Sequence, residues 1–160
     1  MTRFRTDRES AGRALVDDAG VVIEAAAAMA ARFGSGSRLL AFGRDGGASD
    51  AAHVAVEFTH PVIVGKPALP ALCLGGEPSL LPVLGRPEDI AVGIRPAGDD
   101  LAVARGLGML TVALTVNAAC PHADHVLAAA SDDALVAREI HVTMYHLLWE
   151  LVHVFLEADG

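Results

Sequence analysis

The chain has 160 residues, 52% of them hydrophobic and only 4% aromatic, and a formal net charge of −8. That length suits one domain whose core is filled by small aliphatic side chains, and that charge argues against general binding to nucleic acid or to an anionic membrane. Two cysteines far apart, Cys73 and Cys120, suggest no disulfide framework; with no apolar segment behind the charged start "MTRFRTDRES" and no run long enough to span a bilayer, a soluble cytoplasmic protein is expected.

Residues 7–33 are alanine-rich and read as helix, in one piece or as two helices meeting near Gly20. "GSGS" at 34–37 stops it. "RLLAFG", 38–43, is a buried strand. A helix follows from Asp50 to about Thr59, with Ser49 or Asp50 as N-cap. "HPVIVGKPALP" is proline-punctuated loop, and "ALCLGG", 71–76, a short second strand. Three prolines in "EPSLLPVLGRPED" rule against a long helix there. "DIAVGI", 89–94, is a third strand. "RPAGDDLAVARGLG" turns and then makes a helix of two to three turns. "MLTVALTV", 109–116, and "DHVLAA", 124–129, are strands four and five, separated by the loop "NAACPHA". The rest, 132–158, is one long helix capped by Ser131 or Asp132.

These strands are continuous apolar runs without alternation, as in a parallel sheet buried on both faces. The expected fold is therefore a three-layer α/β/α sandwich with a central parallel sheet of about five strands. It divides into an N-terminal helical segment (7–33), an α/β core (38–130) and a C-terminal helix (132–158). Ligands of such folds sit at the carboxyl ends of strands, so the turns after Phe42 and Ile94 are the places to look.

The stretch "FGRDGGASDAAHVAVEF", 42–58, has the form strand, glycine turn, helix start, where backbone amides usually receive an anion. Its helix carries His53 and Glu57 on one face by i, i+4 spacing. They read either as a metal or acid–base pair or as a polar helix edge. His146, Glu150 and His153 share a face of the last helix, which suits a metal or a packed face with its polar groups bonded. "CPHADH" gathers Cys120, His122, Asp124 and His125 in one loop, but in no standard zinc spacing. His141 reads as structural, and Tyr145 and Trp149 as core or subunit interface.

The order of "GRDGGASDAAHVAVEF", "AVGIRPAGDD", "LTVALT" and "EIHVTMYHLLWELV" resembles the sugar isomerase (SIS) domain. The resemblance runs from about Ala25 to Glu157 and is nearest to phosphoheptose isomerase and the related proteins that associate with the DnaA initiator. It implies aldose–ketose isomerisation of a seven-carbon sugar phosphate, with a base and a proton donor. Glu57 matches the family's catalytic glutamate and His146 its catalytic histidine. Zinc is the one cofactor implied, held in some members by residues matching His53, Glu57 and His146 plus a glutamine, whose place Arg138 takes here. The resemblance also implies a dimer or tetramer with sites shared between subunits.

The phosphate site departs from the family. Gly47 stands for a serine, and "RPAGDD", 95–100, stands for serine-threonine-serine-glycine-asparagine-serine. Pro96 removes an amide, and Asp99 and Asp100 bring negative charge. Candidate ligand-binding residues are then Arg44, Gly46, Gly47, Ser49, Asp50, Arg95 and Gly98, with the two arginines as a substitute anion grip. Two functions follow: a carbohydrate-derivative-binding or accessory protein on an isomerase scaffold, or an active sugar-phosphate isomerase using Glu57 and His146. A metal-handling role for the seven histidines is a third, weaker reading.

Overall fold

The computed structural model describes residues 2–158; Met1, Asp159 and Gly160 lie outside it. Two helices open the chain, α1 (Thr2–Asp17) and α2 (Ala19–Gly34). Then β1 (Leu39–Gly43), α3 (Gly47–Thr59), β2 (Ala71–Cys73), a short 3-10 turn (Pro78–Leu80), α4 (Leu81–Leu84) and β3 (Ile90–Ile94) follow. After them come α5 (Ala102–Gly106), β4 (Leu110–Val116), β5 (His125–Ala129) and α6 (Ala134–Ala158).

All strand pairs are parallel, and the order is β2-β1-β3-β4-β5. The side-chain period of two sends Leu39 and Ala41 of β1 to one face and Leu40 and Phe42 to the other. The first face is thick. Met29, Phe33, Val54, Phe58, Tyr145 and Leu148 from α2, α3 and α6 pack on Ile90, Val92, Val112 and Leu114. The second face is thin, covered by Leu81, Leu101 and Ala104 from the short segments around α4 and α5. The sandwich expected from the apolar runs is the one observed, with unequal outer layers.

Local differences from the sequence reading have plain causes. Helix α3 begins at Gly47, and its cap is Gly46 at φ 86°, not Ser49 or Asp50. Only glycine takes that backbone without strain. Asp50 is instead buried inside the first turn. Helix α5 makes little more than one turn rather than two or three, because Gly106 and Gly108 (φ 88°) end it. Asp133, not Ser131 or Asp132, caps α6: its carboxylate accepts from the amides of Leu135 (2.9 Å) and Val136 (3.3 Å). Ser131 instead donates to Asp7 (2.6 Å), which ties α1 to the start of α6.

At the amino ends of β1 and β3 a buried carboxylate joins the strands. Asp89 accepts from the Arg38 guanidinium (2.6 Å) and from the amides of Arg38 (2.9 Å) and Arg86 (3.1 Å). Burial pushes the Asp89 carboxyl up, but the Arg38 contacts outweigh it and hold it below the usual range. This clamp lies at the opposite end of the sheet from the candidate site.

Candidate functional site

Strand order reverses direction between β1 and β3, so their carboxyl ends splay the chain to opposite sides and leave a crevice. The loops there are 44–46 and 95–101. Helices α3 and α6 run alongside each other from this end. The pairs Asp50–Arg138, His53–Tyr145 and Glu57–His146 mark their register.

One group of candidate residues lies on the helix pair. His53 Nε2 lies 2.9 Å from Glu57 Oε1, and His146 Nε2 lies 3.7 Å from the same oxygen. One ligand atom from each of the three residues falls within 4.8 Å of the others. Glu57 is 15% exposed as a side chain; His53 and His146 are 42% and 44% exposed, so the cluster is open to a ligand. The Tyr145 hydroxyl lies 2.9 Å from His53 Nδ1. A carboxylate only accepts, so the His53 tautomer that satisfies both contacts donates from Nε2 to Glu57 and accepts the Tyr145 hydroxyl's hydrogen bond at Nδ1. Burial, with Asp50 nearby, pushes the tyrosine pKa up to about 12, so the hydroxyl stays protonated.

Two histidines and a carboxylate at these separations are a donor set that suits zinc, with a position left open as in catalytic sites. Arg138, which takes the place of the family's glutamine, does not join them. Arg138 turns to the first turn of α3, bonding Asp50 Oδ1 (3.0 Å) and Ser49 Oγ (3.0 Å). Hydrogen bonding to Asp50 raises the Arg138 pKa, so the ion pair persists.

The other histidine groupings do not converge. His153 is buried and shared between the carbonyls of Trp149 (2.8 Å) and Pro67 (3.1 Å), while Glu150 is exposed, so the i, i+4, i+7 stripe on α6 is no ligand set. In "CPHADH", His122 pairs with Asp99 (3.2 Å) and Asp124 with Thr111 (2.8 Å). Among the described residues only the His53–Glu57–His146 group has metal-binding convergence. His141 is structural: buried, bonded to the Thr115 carbonyl (2.8 Å), its pKa lowered by burial.

The second group lies on the loop pair, and its arginines are engaged by the protein itself. Arg44 grips Asp100 through Nε (2.5 Å) and a terminal nitrogen (2.7 Å). Arg95, at φ 51°, crosses to the Asp45 carbonyl. Arg44 and Arg95, expected as a substitute anion grip, each hold one loop to the other here. Gly98 is exposed, with open space around its Cα. Gly47 is tighter than its sequence suggests. A Cβ there would stand 2.9 Å from the Ile94 carbonyl oxygen and 3.2 Å from Ile94 Cγ2. The serine of the SIS pattern has no room in this arrangement.

Sequence spacing missed two partners. Tyr145 sits 92 positions from His53 and Asp100 sits 56 from Arg44, so only the tertiary fold reveals either pair. Tyr145 was assigned to core or interface; it is core by burial, yet its hydroxyl reaches the cluster.

No family model matches the chain. Individual relatives do. A phosphoheptose isomerase of Solidesulfovibrio magneticus is 34% identical over 172 residues, covering 91% of this chain and 84% of that protein. One of Maridesulfovibrio salexigens is 30% identical, covering 88% and 82%. The solved structure of a phosphoheptose isomerase from Francisella tularensis superposes with a TM-score of 0.79 at 22% identity, over 94% of this chain and 96% of that one. With relatives at 30% and 34% identity matched over more than four fifths of their length, and the fold in agreement, the chain belongs to the phosphoheptose isomerase family of SIS-domain proteins.

Proposed function

We propose that the protein binds a carbohydrate derivative at the β1–β3 crevice, and that it does so without the phosphate recognition on which its relatives' name depends. The observation that carries this reading is the closure of the two phosphate loops. Gly47 packs on the Ile94 backbone with no space for a hydroxyl-bearing side chain, and Arg95 spans to the Asp45 carbonyl. The serines and threonine of the second loop are replaced by Arg95, Pro96, Ala97 and Asp100. A sugar phosphate thus loses several charge-assisted contacts, each of about 1.5–3 kcal/mol.

A second reading, an active aldose–ketose isomerase, is favoured by one observation: Glu57, His53 and His146 are gathered and accessible. In it Glu57 would move a proton between adjacent carbons, His146 would protonate the carbonyl oxygen, and Tyr145 would hold the tautomer of His53. Zinc fits His53, Glu57 and His146; when bound it would polarise a substrate oxygen. The assay that separates the readings is isomerisation of sedoheptulose 7-phosphate by purified protein. Turnover absent or barely above background supports the first. Robust turnover that is lost in Glu57→Gln establishes the second.

The assembly belongs to the same proposal. A dimer or tetramer is expected from the family, although the α6 surface is less bare than its sequence suggests. α1, α2 and the sheet cover most of its apolar side chains, leaving Leu135 and Val154 exposed. Light scattering tests it: a stable monomer would remove the claim. No helix among the described residues is long and apolar enough to cross a membrane. A cytoplasmic protein with no direct nucleic-acid contact is the reading that accompanies the net charge of −8.

A further inference from the structure

We infer that Asp100 is the resident anion of the crevice: its carboxylate occupies, within the chain itself, the place where a phosphate would be held. The inference rests on the phosphate-blind reading above and names the group responsible. Asp100 takes the position of the last serine of the family's second loop. Its carboxylate receives what a bound anion would receive. Arg44 approaches in fork geometry, at 2.5 and 2.7 Å, from the loop after β1. The Ala97 amide donates to Oδ2 at 2.7 Å from the loop after β3. The carboxylate is 8% exposed and the guanidinium 38%, so the anion is enclosed while the cation that greets it faces the crevice.

Two features separate this from an incidental surface ion pair. The bonds come from both loops flanking the switch point, where doubly wound folds collect their ligands. The partner amide belongs to the same loop whose hydroxyls have gone, so one of that loop's backbone donors is spent on Asp100. A tethered carboxylate also acts at an effective concentration in the millimolar range or above. A free phosphate at ordinary concentrations therefore cannot displace it, and a second anion beside it is repelled. Loss of the serines alone would leave a weak anion site; Asp100 closes it. Removing the carboxylate should reopen it, with Arg44 and the Ala97 amide as the receptor.

The test uses inorganic phosphate as probe and calorimetry as readout, on the full chain. Wild type should show no saturable phosphate binding at millimolar concentrations. Asp100→Ser should bind phosphate at least about tenfold tighter, and added salt should weaken the gain. Arg44→Ala in the Asp100→Ser background should abolish it. If Asp100→Ser does not fold, Asp100→Asn, which keeps the shape and removes the charge, carries the same expectation. A folded Asp100 variant that binds phosphate no better than wild type overturns the inference and leaves the phosphate-blind reading intact. Tight phosphate binding by wild type overturns that reading first. A gain that survives Arg44→Ala overturns the inference as well, because the receptor would lie elsewhere.

Discussion

Gly47→Ala tests whether the loop closure seen here exists in solution. The added Cβ would stand 2.9 Å from the Ile94 carbonyl oxygen, closer than nonbonded carbon and oxygen tolerate. That oxygen cannot swing away, because it belongs to a central strand and accepts from the Arg44 amide at 3.2 Å. Overpacking of this kind costs about 1–3 kcal/mol. Against it stands the helix-propensity gain of alanine over glycine, at most about 1 kcal/mol. The expected net loss is about 0–2 kcal/mol, which for a chain of this size lowers Tm by up to roughly 8 °C. Gly98→Ala is the matched control. Nothing lies within 4 Å of its Cβ position, so its stability should stay within about 0.5 kcal/mol of wild type. Thermal and urea unfolding of the three proteins measures the difference. A Gly47→Ala protein more stable than wild type would refute the reasoning. The ends of β1 and β3 would then part in solution and the crevice would be open.

Asp89→Ala should cost about 3 kcal/mol, since it leaves Arg38 and two amides at the far end of the sheet without their acceptor; chemical denaturation reads this, and ligand binding should not change. Asp89 and Asp100 both have carboxyls held below the usual range, so the unfolded chain binds more protons than the folded one in acid. Their stabilisation should be full above about pH 4 and fall away as pH drops further; Asp89→Asn should flatten that slope in acid unfolding curves. Zinc should bind the chelator-stripped protein, and His146→Ala should weaken it at least about tenfold by calorimetry; equal affinity would place the metal outside the α3–α6 pair. Tyr145→Phe removes the partner of His53 Nδ1 and should lower stability by about 1 kcal/mol.

The layers were legible because burial leaves a one-dimensional trace. "LLAF" and "IAVGI" are unbroken apolar runs and "LTVALTV" is broken only by two threonines, and each became a strand in the middle of a parallel sheet. Glu57 and His53 were legible as neighbours because one helical turn joins them. What failed was whatever depends on loop geometry or on distant pairing. The start of α3 moved because a left-handed Gly46 caps it, where side-chain rules favour Ser49 or Asp50. Arg44 and Arg95 read as an anion grip, and nothing in "FGRDGG" or "IRPAGDD" announces that each loop supplies the other's partner. Arg138 read as the residue in the place of the family's glutamine; the fold gives it Asp50, a residue 88 positions away.

The central claim is that this family member no longer recognises a phosphate, and paired calorimetry tests it most directly. Sedoheptulose 7-phosphate and sedoheptulose would be titrated into the same wild-type preparation at moderate ionic strength. The account predicts that the phosphate adds no affinity: the two sugars bind within about threefold of each other, or the phosphorylated one binds more weakly, repelled by Asp99 and Asp100. A phosphorylated sugar that binds about a hundredfold tighter than its parent, a difference of roughly 2.7 kcal/mol, would contradict it.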